Sequence, residues 1–377
     1  MKLELSPEQR AARSDFRAFV AAEIAPHADR WEREEAVPVE LVGQLRERGW
    51  LGAVLPPEVG GPGMDMITYG LLTEEIGKGC SSVRSLLTVH DMIAWAMLRW
   101  GSRELRERVL PAMARGDRLG ALALSEPNAG SDAKSVETTA TADGDGFVLE
   151  GRKKWTTFGQ IADNYLVLAQ CEGKPTTFLL ERETPGLTVR PIHGMMGTAA
   201  SLLAELEIAG CRVPKGNLVG RVGFGVSHVL ATGLEQGRYS VAWGSVGIGQ
   251  ACLEASQSYA AERRQGGVPI IEHQLIRAML SDMITNVRAA RLLCLRAGYL
   301  RDRNDPGAFM ETMVAKYFAS TMATRAAADA VQIHGANGLS PDYPVGRYLR
   351  DSRVTEIIEG STQIQQITIS RFDFQEL

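Results

Sequence analysis

Five short runs decide how this chain folds: FVLEG (147–151), YLVLAQ (165–170), TTFLLE (176–181), LTVRPI (187–192) and AELEI (204–208). Each is apolar or alternates apolar with polar residues. Gly, Asp and Pro in TADGDG (141–146) and ERETPG (181–186) punctuate them. With ALALS (121–125) placed before them, strands at this spacing predict a compact β-barrel or sandwich of about one hundred residues.

Working outward, the pattern on both sides turns helical. Upstream, Ser6, Pro7 and Glu8 provide an N-cap, a first-turn proline and an early acid. VELVGQLRERGWLG (39–52) carries apolar residues at helical spacing, and the loop LPPEVGGPG (55–63) precedes another helical run through Trp100. A charged helix over 102–115 is closed by Gly116. Downstream, helical patterns cover about 225–263, 271–302, 307–335 and 346–371. Their connections, QGGVP, NDPG and HGANGLSPDYP, are rich in turn residues. The expected fold class is α+β, with an N-terminal α-helical domain (1–118), a β-domain (119–222) and a C-terminal four-helix bundle (223–377).

Bulk properties narrow the function. The 377 residues are 45% hydrophobic and 23% charged, enough for a sizeable core, and the net charge of −4 argues against a nucleic-acid partner. The five cysteines (Cys80, Cys171, Cys211, Cys252 and Cys294) show neither CxxC nor Cys/His ligand spacing, which suits reduced thiols and gives no metal site. MKLELSPEQRAARSDF is charged throughout, unlike a signal peptide, and the apolar stretch 239–253 falls short of a membrane span. A soluble cytoplasmic protein with no membrane partner is expected.

Three segments carry candidate chemistry. In IIEGSTQIQ (357–365), Glu359 follows two isoleucines, and an apolar flank raises a carboxyl pKa towards that of a general base. Gly360 permits a tight turn, and Ser361, Thr362 and Gln363 offer uncharged hydrogen-bonding groups. A partly exposed helical glutamate would give the same signal. LALSEPNAGSD (122–132) leaves a strand for a turn that could hold a polar cofactor or simply join two strands; it lacks the GxGxxG and Walker spacings. KKWTT (153–157) sets an indole beside two hydroxyls, as a cofactor wall or as core.

Taken in this order along the chain, SEPNAGSD, KKWTT, QIHGANG (332–338) and IIEGSTQIQ resemble the acyl-CoA dehydrogenase family over essentially the whole length. The resemblance implies FAD as cofactor and Glu359 as the base that removes the α-proton of an acyl thioester. It implies that Leu122, Leu124, Ser125 and Ser131 line the flavin and its phosphates, with Ser131 also near substrate. Trp155, Thr156 and Thr157 would form the wall against the isoalloxazine. Arg263, Gln265, Gln332, Gly335 and Gly338 would reach the FAD of a neighbouring subunit, in a homodimer or homotetramer. Ser361 and Gln363 would contact FAD after the base, and Arg238 would stand beside the acyl-binding helix. Electron-transfer flavoprotein, or another electron acceptor, is the implied redox partner.

Glu356 is the local competitor of Glu359; on one continuous helix it would neighbour Glu359 and raise the pair's apparent pKa. Some family members take the base from the helix around 234–238, but that position is Gly237 here, with Glu235 out of register. Gly266 in RRQGG stands where the family usually has phenylalanine, so weaker FAD retention or a looser subunit contact is expected, and restoring Phe should raise FAD occupancy. His334 reads as a helix-end histidine. GCSSVRSLLTVHDMIAW (79–95) resembles the glutaryl-CoA dehydrogenase branch, where the matching Arg84 and Ser85 would contact a distal carboxylate. An internal acid is the other candidate partner for Arg84. This stretch, with RYSVAWG and EIIEGS, also resembles proteins that make hydroxy- or methoxymalonyl extender units for polyketides on an acyl carrier protein. Both point to a short, polar acyl thioester, on CoA or on a carrier protein. A flavin oxidase or monooxygenase on the same fold, and a non-catalytic carrier-protein docking partner, are the rival functions.

Overall fold

A computed structural model describes residues 4–373; the outermost residues of the two terminal domains expected from sequence lie outside the described residues. Six helices come first: α1 (Pro7–Phe19), α2 (Ala28–Glu34), α3 (Val39–Glu47), α4 (Met66–Gly79), α5 (Ser81–Trp100) and α6 (Arg103–Ala114). Ser6 caps α1 in a capping box with Gln9, satisfying amides that the helix start leaves free.

Strands follow: β1 (Gly120–Ala123), β2 (Thr139–Asp143), β3 (Gly146–Thr156), β4 (Asn164–Cys171), β5 (Lys174–Glu181), β6 (Leu187–Pro191), β7 (Ala204–Pro214) and β8 (Leu218–Val219). They form one hydrogen-bonded array in the order β6-β7-β3-β2-β4-β5-β8, with β1 parallel to β4. YLVLAQ is continuously apolar because both faces of β4 are covered. Tyr165 and Val167 pack inside the sheet with Phe147, Phe178 and Leu206, whereas Leu166 and Leu168 pack outward against α5 and α6. His90 pins that junction: its Nε2 lies 2.9 Å from the carbonyl of Met113, and its Nδ1 accepts from the amide of Gly120 at 3.2 Å. Burial depresses its pKa to about 4, so the ring is neutral and Nε2 carries the proton.

The remaining chain contains α7 (Ala231–Glu262), the short strands β9 (Arg264–Gln265) and β10 (Val268–Pro269), then α8 (Gln274–Asp302), α9 (Ala308–His334), α10 (Val345–Ile357) and α11 (Thr362–Asp373). Helix α7 is buried on nearly every side, between α4 and α5 and between α8 and α9, so glycines and small residues dominate its contacts. The helix expected over 346–371 is in fact two. It breaks at 358–361, where Glu359 takes φ +56° and Gly360 φ +90°. The left-handed conformation at Glu359 is unfavourable for a residue with a Cβ and ends α10. None of the described helices is long and apolar enough to cross a membrane.

Candidate active site

The break between α10 and α11 turns Glu359 into the bundle. Its carboxylate rests on α7 at Gly237, where an added Cβ would lie 2.6 Å from Oε2. The missing side chain at 237 is therefore the notch that admits the base. Oε2 is buried and has no hydrogen-bond partner. Desolvation pushes the Glu359 pKa up to about 7, against the opposing pull of Arg238, Arg84 and Lys316. Glu356 plays no part in this shift. It is not a helical neighbour of Glu359, as sequence spacing suggested; it pairs with Arg353 at 3.1 Å and accepts from Thr362. Glu235 is likewise engaged elsewhere, 2.8 Å from Arg301.

Three side chains fasten the turn through its carbonyls. Arg238 Nε donates to the carbonyl of Glu359 at 3.1 Å, and Lys316 Nζ to that of Gly360 at 2.8 Å. Gln365 Nε2 reaches both carbonyls at 3.1 Å. Ser361 caps α11 by accepting from the amide of Ile364, while Gln363 is exposed. Lys316 and Gln365 were missed in the sequence, because Lys316 in AKYFAS has the look of an ordinary helical lysine.

Arg84 is 1% exposed on α5 and lies against Gly244 of α7, where a Cβ would come within 2.3 Å of its Cδ. The internal acid offered as one candidate partner is absent: among the described residues Arg84 makes no ion pair with Asp or Glu. Its guanidinium donates to Thr88 Oγ1 at 2.8 Å and to Ser85 Oγ at 3.1 Å, and Thr88 in turn meets Ser240 Oγ at 2.6 Å. Burial lowers the Arg84 pKa to about 10, with Glu359 the largest opposing charge. Helices α5 and α7 thus place a basic, hydroxyl-lined end within electrostatic reach of the carboxylate.

The two strand-end motifs are brought together as well. Lys153 Nζ, fully buried, binds Glu126 Oε1 at 2.6 Å and the carbonyl of Leu124 at 3.1 Å, and the amide of Lys154 donates to the carbonyl of Ser125. Glu126 then holds the amide of Thr138 at 3.0 Å, so one ion pair shapes the whole SEPNAGSD loop. Leu122, Leu124, Ser125 and Thr157 are half-buried beside it, and Ser131 is exposed. Trp155 takes φ +65° and leaves its ring 45% exposed, with Lys154 Nζ 4.5 Å from the ring centroid. Beneath it, Thr156 is buried with an unpartnered Oγ1. A strained backbone, an exposed flat ring and an orphaned hydroxyl fit a planar cofactor with hydrogen-bonding edges. This wall is tied towards the base. The amides of Phe158 and Gln160 donate to the carbonyls of Ser201 and Leu202, and Thr198 of the same loop donates to Asp351 on α10 at 2.7 Å.

A second cavity, of about 300 Å³, is lined by Tyr259, Arg263, Gln265, His334, Gly335 and Asn337, among others. Gln332 is exposed outside it, and Gly338 is buried where a Cβ would meet the carbonyl of Val331. His334 is the helix-end histidine its position suggested: Nδ1 lies 2.8 Å from the carbonyl of Ala330 and the ring stacks on Tyr259 at 4.2 Å. Gly266 (φ +60°) and Gly267 (φ +82°) form the two-residue turn between β9 and β10, a geometry reserved for residues tolerating positive φ. Gly266 thus suits the hairpin of this chain, where a side chain would be held at positive φ.

Family models match the chain in three consecutive pieces: "Acyl-CoA dehydrogenase, N-terminal domain" over 6–117, "middle domain" over 121–211 and "C-terminal domain" over 223–372. A probable acyl-CoA dehydrogenase, YngJ of Bacillus subtilis, is 39% identical over 98% of this chain and 99% of its own. A glutaryl-coenzyme A dehydrogenase solved with glutaryl-CoA superposes with a TM-score of 0.94 at 34% identity, covering 100% of this chain and 97% of the other. FkbI, solved in connection with biosynthesis of the methoxymalonyl extender unit of the Fk520 polyketide, gives 0.88 at 31%, covering 97% and 99%.

Proposed function

Because the chain belongs to the acyl-CoA dehydrogenase family, flavin-dependent dehydrogenases that use FAD, we propose that its substrate is a short acyl thioester with a polar or acidic end. The observation that carries this reading is Arg84. A fully buried guanidinium that, among the described residues, bonds only to hydroxyls has no paired carboxylate beyond the field of Glu359, and a substrate carboxylate would supply one. A long aliphatic chain would leave the cation unpaired.

In this reading Glu359 takes the α-proton of the thioester. Its pKa of about 7 gives a base that is substantially ionised near neutral pH yet still strong enough to accept a weakly acidic carbon proton. Bound FAD supplies the acceptor for the hydride that leaves Cβ. Trp155, Thr156 and Thr157, with Leu122, Leu124, Ser125 and Ser131, would hold the flavin, and Arg263, Gln265 and Gly335 the far end of a cofactor from a neighbouring subunit of a homodimer or homotetramer. Electrons would then pass to an electron-transfer flavoprotein. The likeness to FkbI supports a carrier-protein thioester as a second candidate for the same acyl group.

The test is anaerobic bleaching of the flavin by glutaryl-CoA, butyryl-CoA and the same acyl groups on an acyl carrier protein. Faster bleaching by the dicarboxylic thioester is expected. Arg84→Met should remove that preference by on the order of a hundredfold, as for loss of a charge-paired partner. Equal or faster reduction by butyryl thioesters in the native enzyme would reject the acidic substrate.

A further inference from the structure

The two cations that tie the base's turn to the rest of the bundle come from different helices. Arg238 belongs to α7, whose notch receives the carboxylate. Lys316 belongs to α9, on which α10 and α11 pack. We propose that Lys316 is a positioning residue of the reaction: its ammonium, by holding the Gly360 carbonyl, keeps the turn seated so that Glu359 stays over Gly237, and its charge favours the carboxylate form of the base. This rests on the assignment of Glu359 as the base.

The geometry leaves Lys316 little else to do. Its side chain is fully buried at the middle of α9, and its one hydrogen bond runs to the Gly360 carbonyl at 2.8 Å. Burying an ammonium is costly, and one neutral carbonyl does not offset that cost. The charge that acts on it most strongly is Glu359, ahead of the repulsion from Arg238 and the weaker attraction of Glu356. The groups facing Glu359 are Arg238 from α7, Arg84 from α5 and Lys316 from α9, all positive. The turn also needs holding. Glu359 sits at φ +56°, a conformation an unrestrained glutamate leaves for the helical or extended region. Gln365 is carried on α11 itself and moves with the turn, so it cannot fix the turn against the bundle. Without Lys316, Arg238 is, among the described residues, the one side chain of another helix left hydrogen-bonded to the turn carbonyls.

The sign of the charge effect follows directly. Removing a cation near Glu359 makes ionisation harder, raises its pKa and moves the acid limb of flavin reduction to higher pH. Burial lowers the Lys316 pKa to about 8, so its charge is present where Glu359 titrates and fades above that. The wild type and a neutral variant should therefore differ most below pH 7, where ionisation of Glu359 limits the rate, and draw closer at high pH.

The experiment compares Lys316→Met, Lys316→Arg and Glu359→Gln as FAD-loaded enzymes. Anaerobic flavin reduction by glutaryl-CoA and butyryl-CoA is followed against pH. In parallel, the Glu359 carboxyl is titrated by 13C NMR, its signal identified by its loss in Glu359→Gln. For Lys316→Met, the titration midpoint should rise by about one unit, with reduction at pH 7 slowed about fivefold. FAD content should be retained, and Lys316→Arg should recover most of the loss. A midpoint unmoved in Lys316→Met, or a rate that falls only in proportion to lost FAD or folded protein, overturns the proposal. If Glu359→Gln still reduces flavin normally, the base assignment itself fails, an outcome distinct from an inactive Glu359→Gln beside an unaffected Lys316→Met.

Discussion

Two acid sites set among cations in this molecule are built in opposite ways. On α4, Glu74 lies 2.9 Å from Arg13 and 2.7 Å from Arg291, and Glu75 lies 2.8 Å from Arg13 and 2.9 Å from Arg17. Those pairings outweigh burial and hold the Glu75 carboxyl below its usual range. At the other place, Glu359 is surrounded by Arg84, Arg238 and Lys316, yet none of them donates to its carboxylate. The cations bind carbonyls and hydroxyls instead, and the Glu359 pKa rises to about 7. Saturated hydrogen bonds make an acid structural; cations that are near but bonded elsewhere leave it free to take a proton.

The comparison breaks most visibly at the carboxylates themselves. Glu359→Gln keeps the shape of the turn but removes the base, so flavin should stay bound while anaerobic reduction by thioester falls on the order of a thousandfold. Glu74→Gln should do the reverse. It leaves Arg291 without its acidic partner and Arg13 with Glu75 alone, and should cost about 2–3 kcal/mol in denaturant unfolding, with the pH dependence of reduction unchanged. A shifted pH profile in Glu74→Gln would mean the two regions are coupled. The smallest effect is expected at the hairpin: Gly266→Phe must adopt positive φ and should lose about 1 kcal/mol of stability, with no gain in FAD content on purification.

Legibility in the sequence follows the range of the forces involved. The β-domain could be read because period and punctuation are local, whereas the cover on both faces of β4 emerged only from packing. Glu359 could be singled out by its isoleucines and Gly360. The helix break at 358–361 could not, since Glu359 holds φ +56° through donors at Arg238 and Lys316, which are distant in sequence. The same limit hid Gly237 and Gly244: as glycines in a helix they look like flaws, and only packing shows them to be notches for Glu359 and Arg84. At Gly266 the family position drew attention to the absent ring, and the positive φ of the Gly266-Gly267 turn became visible only in the fold.

The most direct measurement is the rate of anaerobic flavin reduction by a short acyl-CoA as a function of pH in the native enzyme. A desolvated Glu359 predicts an acid limb centred near pH 7, since protonation of the base stops proton abstraction below that point. An acid limb at the ordinary carboxylate value, about pH 4, would show a base that desolvation does not perturb, and would contradict the account.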